Sequence, residues 1–284
     1  MTTDNPRDTT LYDLRHKELL LPVVRVRAPK GTGSGTVIYS GPDKAGTGFS
    51  TYVLTNHHVV ESAIEFKDEW SALLKRKTKI DVLGVVEAEF FEYQWNSRAV
   101  GATSVLGQIA AYDVNEDLAL IRLNTTRQVP DVARLLPKGQ ELLLRASMPL
   151  FAVGAGMGEA PVITAGMLSQ FGMMIGNREF WVSTAPTIFG NSGGALFLAD
   201  TNEFIGVPAR LIVAMLGMSV DAITHLSWAI PITRVYEFLD AQVFQFIYDS
   251  KHTEAGDEAQ RKAMRERDSR QVAQEEVRSG EVTS

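Results

Sequence analysis

Phe189-Gly190-Asn191-Ser192-Gly193-Gly194-Ala195-Leu196 sets one hydroxyl in a turn with glycine on both sides of it. Lacking a Cβ, glycine lets backbone N–H groups come close to a ligand. A carbonyl attacked by Ser192 would place its developing oxyanion against the N–H groups of Gly190 and Ser192, the arrangement that stabilises a tetrahedral intermediate. Alone, the string reads equally well as a glycine-rich β-turn carrying an incidental serine. A serine hydroxyl is a poor nucleophile at neutral pH and needs a base, and an imidazole base needs a carboxylate to fix its tautomer and balance its charge. The rest of the chain therefore has to supply both.

Two strings upstream do so. Val53-Leu54-Thr55-Asn56-His57-His58-Val59-Val60 puts histidines just after an apolar run, and Glu116-Asp117-Leu118-Ala119-Leu120-Ile121-Arg122-Leu123 puts a carboxylate at the start of one. The order along the chain is His, Asp, Ser. Outside these strings, short runs rich in Val, Ile, Leu, Phe and Tyr recur from Val23 to Ile230 between Gly, Asn, Asp and Pro. About a dozen such runs, among them Ile80 to Val86, predict an all-β protein rather than alternating βαβ units. Ile175-Gly176-Asn177-Arg178-Glu179 has the composition of a tight hairpin.

Three segments depart from this texture. Residues 61–79 carry Asp68, Glu69, Lys75, Arg76, Lys77 and Lys79 around Trp70, Leu73 and Leu74 and are expected to form an exposed helix or loop. After Pro231, Val235, Phe238, Leu239, Gln242, Val243 and Phe246 follow a helical stripe. From Asp249 there are nine acidic and seven basic residues and no Leu, Ile, Phe, Tyr or Trp, which predicts a flexible charged tail over 249–284, with pairs such as Glu258 and Lys262 favouring transient helix.

Composition narrows the function classes. The 284 residues are 45% hydrophobic and 22% charged, an ordinary globular profile. With 28 basic and 34 acidic residues the formal charge is -6, which gives no electrostatic case for nucleic acid or an anionic membrane. The longest apolar runs fall far short of the ~20 residues a membrane helix needs, and the charged first twenty residues lack a secretory signal. A cytoplasmic location is expected. Cysteine is absent, so disulfides, thiol catalysis and Cys-ligated zinc are excluded. His16, His57, His58, His225 and His252 show no ligand spacing, and no metal or cofactor is expected.

The three strings together resemble the trypsin-like serine proteases, most closely the HtrA/Deg-type branch. The resemblance extends to Gly31-Thr32-Gly33-Ser34-Gly35, to Met148 through Ser169, and to Ser227-Trp228-Ala229-Ile230-Pro231, and it covers roughly residues 23–240. It implies two six-stranded antiparallel Greek-key β-barrels, at about 23–130 and 140–231, followed by a helix at 232–248 and preceded by an arm at 1–22. It makes His58 the general base, Asp117 its orienter and Ser192 the nucleophile, with Gly190 and Ser192 as oxyanion donors. His57 and Asp113 are the competitors for the first two roles, and Ser227 is expected to set its hydroxyl against the Asp117 carboxylate. The primary pocket would be walled by Pro186, Thr187, Ile188, Ser227, Trp228 and Ala229. None is charged, so small or medium apolar side chains are expected there.

The chain also departs from the family's patterns. Asn191 stands where digestive trypsins have an aspartate that binds a new N-terminus. Only 44 residues follow Asp240, too few for the PDZ module common in HtrA proteins. The span between His58 and Asp117 is long for the branch, so residues 61–104 are expected to hold an insertion. The resemblance implies a serine endopeptidase acting through an acyl-enzyme on protein or peptide substrates, with the tail as a possible docking element. The alternatives are a catalytically idle trypsin fold used as a binding scaffold, and a processing protease restricted to itself or one partner.

Overall fold

The structure, a computed structural model, describes residues 9–71, 76–216 and 219–281. A short helix α1 (Thr10–Arg15) and a π-turn (His16–Leu20) precede the strands β1 (Val23–Ala28), β2 (Gly31–Pro42) and β3 (Phe49–Thr55). Helix α2 (His57–Val60) leads to β4 (Ile64–Ser71), β5 (Arg76–Leu83), β6 (Val85–Tyr93), β7 (Ala99–Asp113) and β8 (Leu118–Leu123). Then come β9 (Pro149–Gly154), β10 (Val162–Ile175), β11 (Arg178–Ser183), β12 (Ala195–Leu198), β13 (Phe204–Leu216) and β14 (Ser219–Pro231), and the helices α3 (Ile232–Ala241) and α4 (Glu254–Glu281).

The strands close into two antiparallel barrels of six, in the orders β1-β2-β3-β8-β7-β6 and β10-β11-β14-β13-β12-β9. Closure leaves neither sheet with an open edge. Barrel 1 is filled by small branched residues such as Val24, Val26, Val37, Val53 and Ile121. Strand β8 shows why Leu118-Ala119-Leu120-Ile121 is an unbroken apolar run. Ala119 and Ile121 belong to the barrel 1 core, whereas Leu118 and Leu120 belong to the larger core that includes Leu150, Phe197, Phe204 and Phe238, and all four are fully buried. Both faces of the strand are covered, so no polar alternation is possible.

Several sequence expectations need correction. The 61–79 excursion is not a helix or loop but the β4–β5 hairpin, paired from Ile64↔Leu83 to Ser71↔Arg76; Leu73, Leu74 and Lys75 lie outside the described residues. The run Ile80 to Val86 is two strands in different sheets, broken at Gly84, whose N–H donates to the Ala63 carbonyl at 2.7 Å. A Cβ there would stand 2.8 Å from that same oxygen. The Gly176-Asn177 hairpin forms as expected, with Ile175 opposite Arg178 and Gly176 at φ +61°.

Helix α3 stops at Ala241 instead of running to 248. Val243 sits at φ +58°, which a β-branched residue cannot hold within a helix. The chain there turns Phe244 and Phe246 onto Tyr52 and Tyr39 of barrel 1, with ring centroids 5.7 Å and 5.0 Å apart. The arm at 1–22 lies outside the described residues up to position 8, and its Leu19 and Leu20 are buried in the larger core.

The charged segment from 249 differs most from expectation, because residues 254–281 form one helix, with 282–284 outside the described residues. Its first turns are seated by polar bonds and not by apolar burial. Tyr52 donates to the buried Glu254 carboxylate at 2.6 Å, and the backbone N–H of Phe246 donates to Asp257 at 3.0 Å. Lys44 of barrel 1 pairs with Glu258 at 2.7 Å, and the Arg261 guanidinium lies 4.0 Å over the Phe244 ring.

Candidate active site

Ser192 lies just before β12, in a turn whose backbone only glycine permits. Gly190 and Gly193 have φ +99° and +83°. A Cβ on Gly193 would come within 2.2 Å of the Ser34 carbonyl and 2.3 Å of the Thr55 hydroxyl, so barrel 1 is pressed directly against this turn. Ser34, fully buried in β2, makes the junction. Its N–H donates to the Ser192 carbonyl at 2.8 Å, its hydroxyl donates to the Gly190 carbonyl at 2.6 Å and accepts from Ala155 N–H at 2.7 Å, and Thr55 donates to its carbonyl at 2.7 Å.

These bonds leave particular donors free. The Phe189 carbonyl accepts from Met157 N–H at 2.7 Å, which turns the Phe189–Gly190 peptide so that its N–H faces the other way. Neither Gly190 N–H nor Ser192 N–H has a protein acceptor among the described residues. Asn191, buried beside them, accepts from Ile188 N–H at 3.1 Å through its side-chain oxygen and so closes the 188–191 turn internally. No charge is needed at that position for the loop to hold its shape.

His58 sits in α2, directly after β3. Its Nδ1 is 3.0 Å and 2.9 Å from the two carboxylate oxygens of Asp117, and its backbone N–H donates to one of them at 3.1 Å. An ionised carboxylate can only accept, so Nδ1 carries the proton and Nε2 of the neutral ring presents a lone pair. Asp117 stands at φ +53°, a left-handed conformation that aspartate tolerates better than most residues. Three contacts hold it there. Asn56 donates to its carbonyl at 2.8 Å, Asp113 caps the turn before it by accepting from Asn115 and Glu116 N–H, and Arg234 of α3 binds Glu116 at 2.6 Å.

The Ser192 hydroxyl faces the Ala209 carbonyl at 3.4 Å and makes no hydrogen bond to His58 among the described residues. The two segments nevertheless meet. The Cβ position of Gly33 has the Val59 side chain at 2.7 Å and the Ser192 carbonyl at 3.1 Å.

The residues expected to wall the primary pocket are placed unequally. Pro186 and Ile188 are exposed and Trp228 is half-buried, whereas Thr187, Ser227 and Ala229 have almost no accessible surface. Ala229 lies opposite Trp181, and Ser227 opposite Ser183. Thr187 N–H donates to the Thr224 carbonyl at 2.9 Å, tying the loop to β14. The hydroxyls of Thr187 and Ser227 have no partner among the described residues, so Ser227 does not reach the Asp117 carboxylate as expected. His57 does not compete for Asp117. It stacks on Tyr112 with ring centroids 5.4 Å apart.

Ser34, Asn56, Met157 and Arg234 were not singled out by sequence reasoning. The signal for Ser34 was a hydroxyl between two glycines and that for Asn56 its place in the string before His58, whereas nothing local marks Met157 or Arg234.

Among solved structures, the HtrA-type protease AlgW with a tripeptide is similar over 82% of this chain at 19% identity and a TM-score of 0.54; the chain spans 64% of that structure's length. Deg5 is similar over 82% of this chain and 94% of its own, at 21% identity and a TM-score of 0.54. At those identities the likeness establishes the fold, the double β-barrel of this protease class. The model of the trypsin-like peptidase domain matches residues 33–207, more than half of the sequence, and the chain belongs to that family. No curated protein matches.

Proposed function

We propose that the chain is a serine endopeptidase in which His58, Asp117 and Ser192 act as one unit. The observation that carries this reading is the Nδ1 pairing of His58 with Asp117, which leaves Nε2 as a base beside a turn with two unspent N–H donors. In the first step Ser192 Oγ attacks the substrate carbonyl while His58 Nε2 takes its proton. The C–O bond forms, the carbonyl electrons move to oxygen, and Gly190 and Ser192 N–H hold that oxyanion. Asp117 balances the imidazolium. The imidazolium then gives its proton to the leaving amine as the C–N bond breaks, and water repeats the sequence on the acyl-enzyme.

Of the residues expected at the primary pocket, Pro186, Ile188 and Trp228 offer accessible surface while Thr187, Ser227 and Ala229 are buried behind them, and this uncharged set favours small or medium apolar side chains. Protein or peptide substrates fit the family assignment and the tripeptide carried by one structural neighbour.

The test is fluorophosphonate labelling and peptide hydrolysis by the wild type beside Ser192→Ala. Wild type should label at Ser192, and the variant should lose labelling and about 10⁶ in rate while keeping its circular dichroism spectrum. Retained hydrolysis in the variant overturns the assignment. A second reading, a catalytically idle trypsin fold used for binding, draws on the Ser192 hydroxyl facing Ala209. A wild type that neither labels nor cleaves decides for it.

A further inference from the structure

A cavity of about 610 Å³ separates the first turns of α4 from β3, β7 and β8 of barrel 1, a size that holds one small molecule. Arg122, which lines it, is the fifth residue of β8, and Asp117 directly precedes that strand. About 16 Å of strand therefore lies between this cavity and the candidate active site.

The charge of the cavity contrasts with that of the whole chain. Lys44, Arg122, Arg261, Lys262 and Arg265 line it against two carboxylates, Glu254 and Glu258, a net of +3 in a chain of formal charge -6. A local surplus of this kind draws anions to a cleft. Phe244, Ala110 and Ala259 supply apolar wall between the charges.

Two side chains there lack the partners their chemistry asks for. Arg261 is half-buried, and although a guanidinium offers several N–H donors, its one hydrogen bond among the described residues goes to the Val243 carbonyl. Lys44 takes Glu258 at 2.7 Å, and among the described residues no carboxylate pairs with Arg261 or Lys262. Burial holds the Arg261 guanidinium below the usual arginine value despite the nearby Asp257 and Glu258 charges. Cations withdrawn from water are ordinarily paired. Glu254 has the opposite need. Its side chain is 4% exposed, and one carboxylate oxygen accepts from Tyr52 at 2.6 Å with Arg122 at 3.7 Å. The other oxygen is buried and has no donor among the described residues. An occupant that satisfies both carries an anionic group for the cations and a hydroxyl for Glu254.

We propose that this cavity binds a small phosphate ester with free hydroxyls, its phosphate on Arg261 and Lys262 and a hydroxyl on Glu254. Phosphate suits the site better than a lone carboxylate, because it brings more charge and more acceptor oxygens against the cationic surplus. Bound there, it ties α4 to the barrel and stabilises a helix that has too little apolar surface to fold alone. The site is independent of the serine endopeptidase reading, and its test needs no turnover.

The full chain is titrated by calorimetry at fixed ionic strength with fructose 1,6-bisphosphate, ATP, pyrophosphate and fructose. One of the two esters should bind one to one with a Kd of about 100 µM or tighter. Pyrophosphate, which lacks the carbon-bound hydroxyls, should bind about tenfold more weakly or worse, and fructose not at all. Amide exchange over 254–265 should slow when the ester is bound. Lys262→Glu and Arg261→Met should each weaken binding about tenfold or more. Lys262 is exposed, so its change leaves the packing intact and decides the matter if Arg261→Met unseats the helix. The site is wrong if neither ester binds below about 1 mM, if pyrophosphate binds as tightly as the esters, or if Lys262→Glu binds like wild type.

Discussion

Ser34 joins the two barrels at the Ser192 turn, where its hydroxyl bonds both the Gly190 carbonyl and the loop at Ala155. Removing it leaves the part-buried Gly190 carbonyl and the buried Ala155 N–H unpaired, at about 1–3 kcal/mol for the buried group. The loss should fall on the geometry of the Gly190 and Ser192 donors and not on substrate contacts. Ser34→Ala is therefore expected to lower kcat about tenfold to a hundredfold with KM little changed, measured per active site titrated by fluorophosphonate. An unchanged kcat per titrated site would make Ser34 purely structural. Gly193→Ala is the harsher change, because its Cβ would meet the Ser34 carbonyl at 2.2 Å at a φ of +83°. That variant should lose labelling altogether. The glycines around Ser192 were legible as a pattern in the sequence. Their physical cause, the pressure of β2 and β3 against the turn, is a contact between residues over 130 positions apart and leaves no local trace.

At the scale of elements, most strands and the Gly176-Asn177 turn followed from composition, whereas the β4–β5 hairpin and the element ends did not. Gly84 separates two strands that read as one run, and Val243 ends a helix whose apolar stripe continues past it. In both cases the deciding partner lies elsewhere: the Ala63 carbonyl for Gly84, and the Tyr39 and Tyr52 rings that receive Phe246 and Phe244. Helix α4 makes the point more sharply, because its sequence has too little apolar surface to fold on its own. It is held by carboxylates that find hydroxyl, backbone and cationic partners on the body of the protein. Asp257, 2% exposed, accepts from Phe246 N–H and from His252. Asp257→Ala should reduce helical circular dichroism and lower the melting temperature by a few degrees, corresponding to about 1–3 kcal/mol. A variant that melts like wild type would show that the helix is seated by other contacts.

For the molecule as a whole, the candidate site depends on ties between parts far apart in the chain. Arg25 of β1 bonds Glu89 of β6 and also reaches the carbonyl of Gly158, the residue after Met157, whose N–H orients the Phe189–Gly190 peptide. The Arg25 guanidinium, with Arg27 beside it, holds the Glu89 carboxyl below the usual carboxylate range. A carboxylate with a depressed native value stabilises the fold fully above its ordinary value of about 4.3, and that contribution is lost as pH falls through the native value. Urea midpoints measured downward from pH 6 should therefore fall more steeply below about pH 4 for wild type than for Glu89→Gln. Parallel curves would remove Glu89 from the acid response. Among the described residues no helix is long and apolar enough to cross a membrane.

The sequence by itself determined the class of fold and the identity of the chemical groups. Strand-length apolar runs, the glycines at 190 and 193, and the order His58, Asp117, Ser192 are all properties of short segments, where sterics and periodicity act within a few residues. Tertiary structure alone decided how those groups are held and what surrounds them: Ser34 beneath the Ser192 turn, Arg234 on Glu116 next to Asp117, the burial of Ala229, and the β4–β5 hairpin beside His58. Those are pairings between distant residues, whose energies depend on burial and partner geometry that no local pattern encodes.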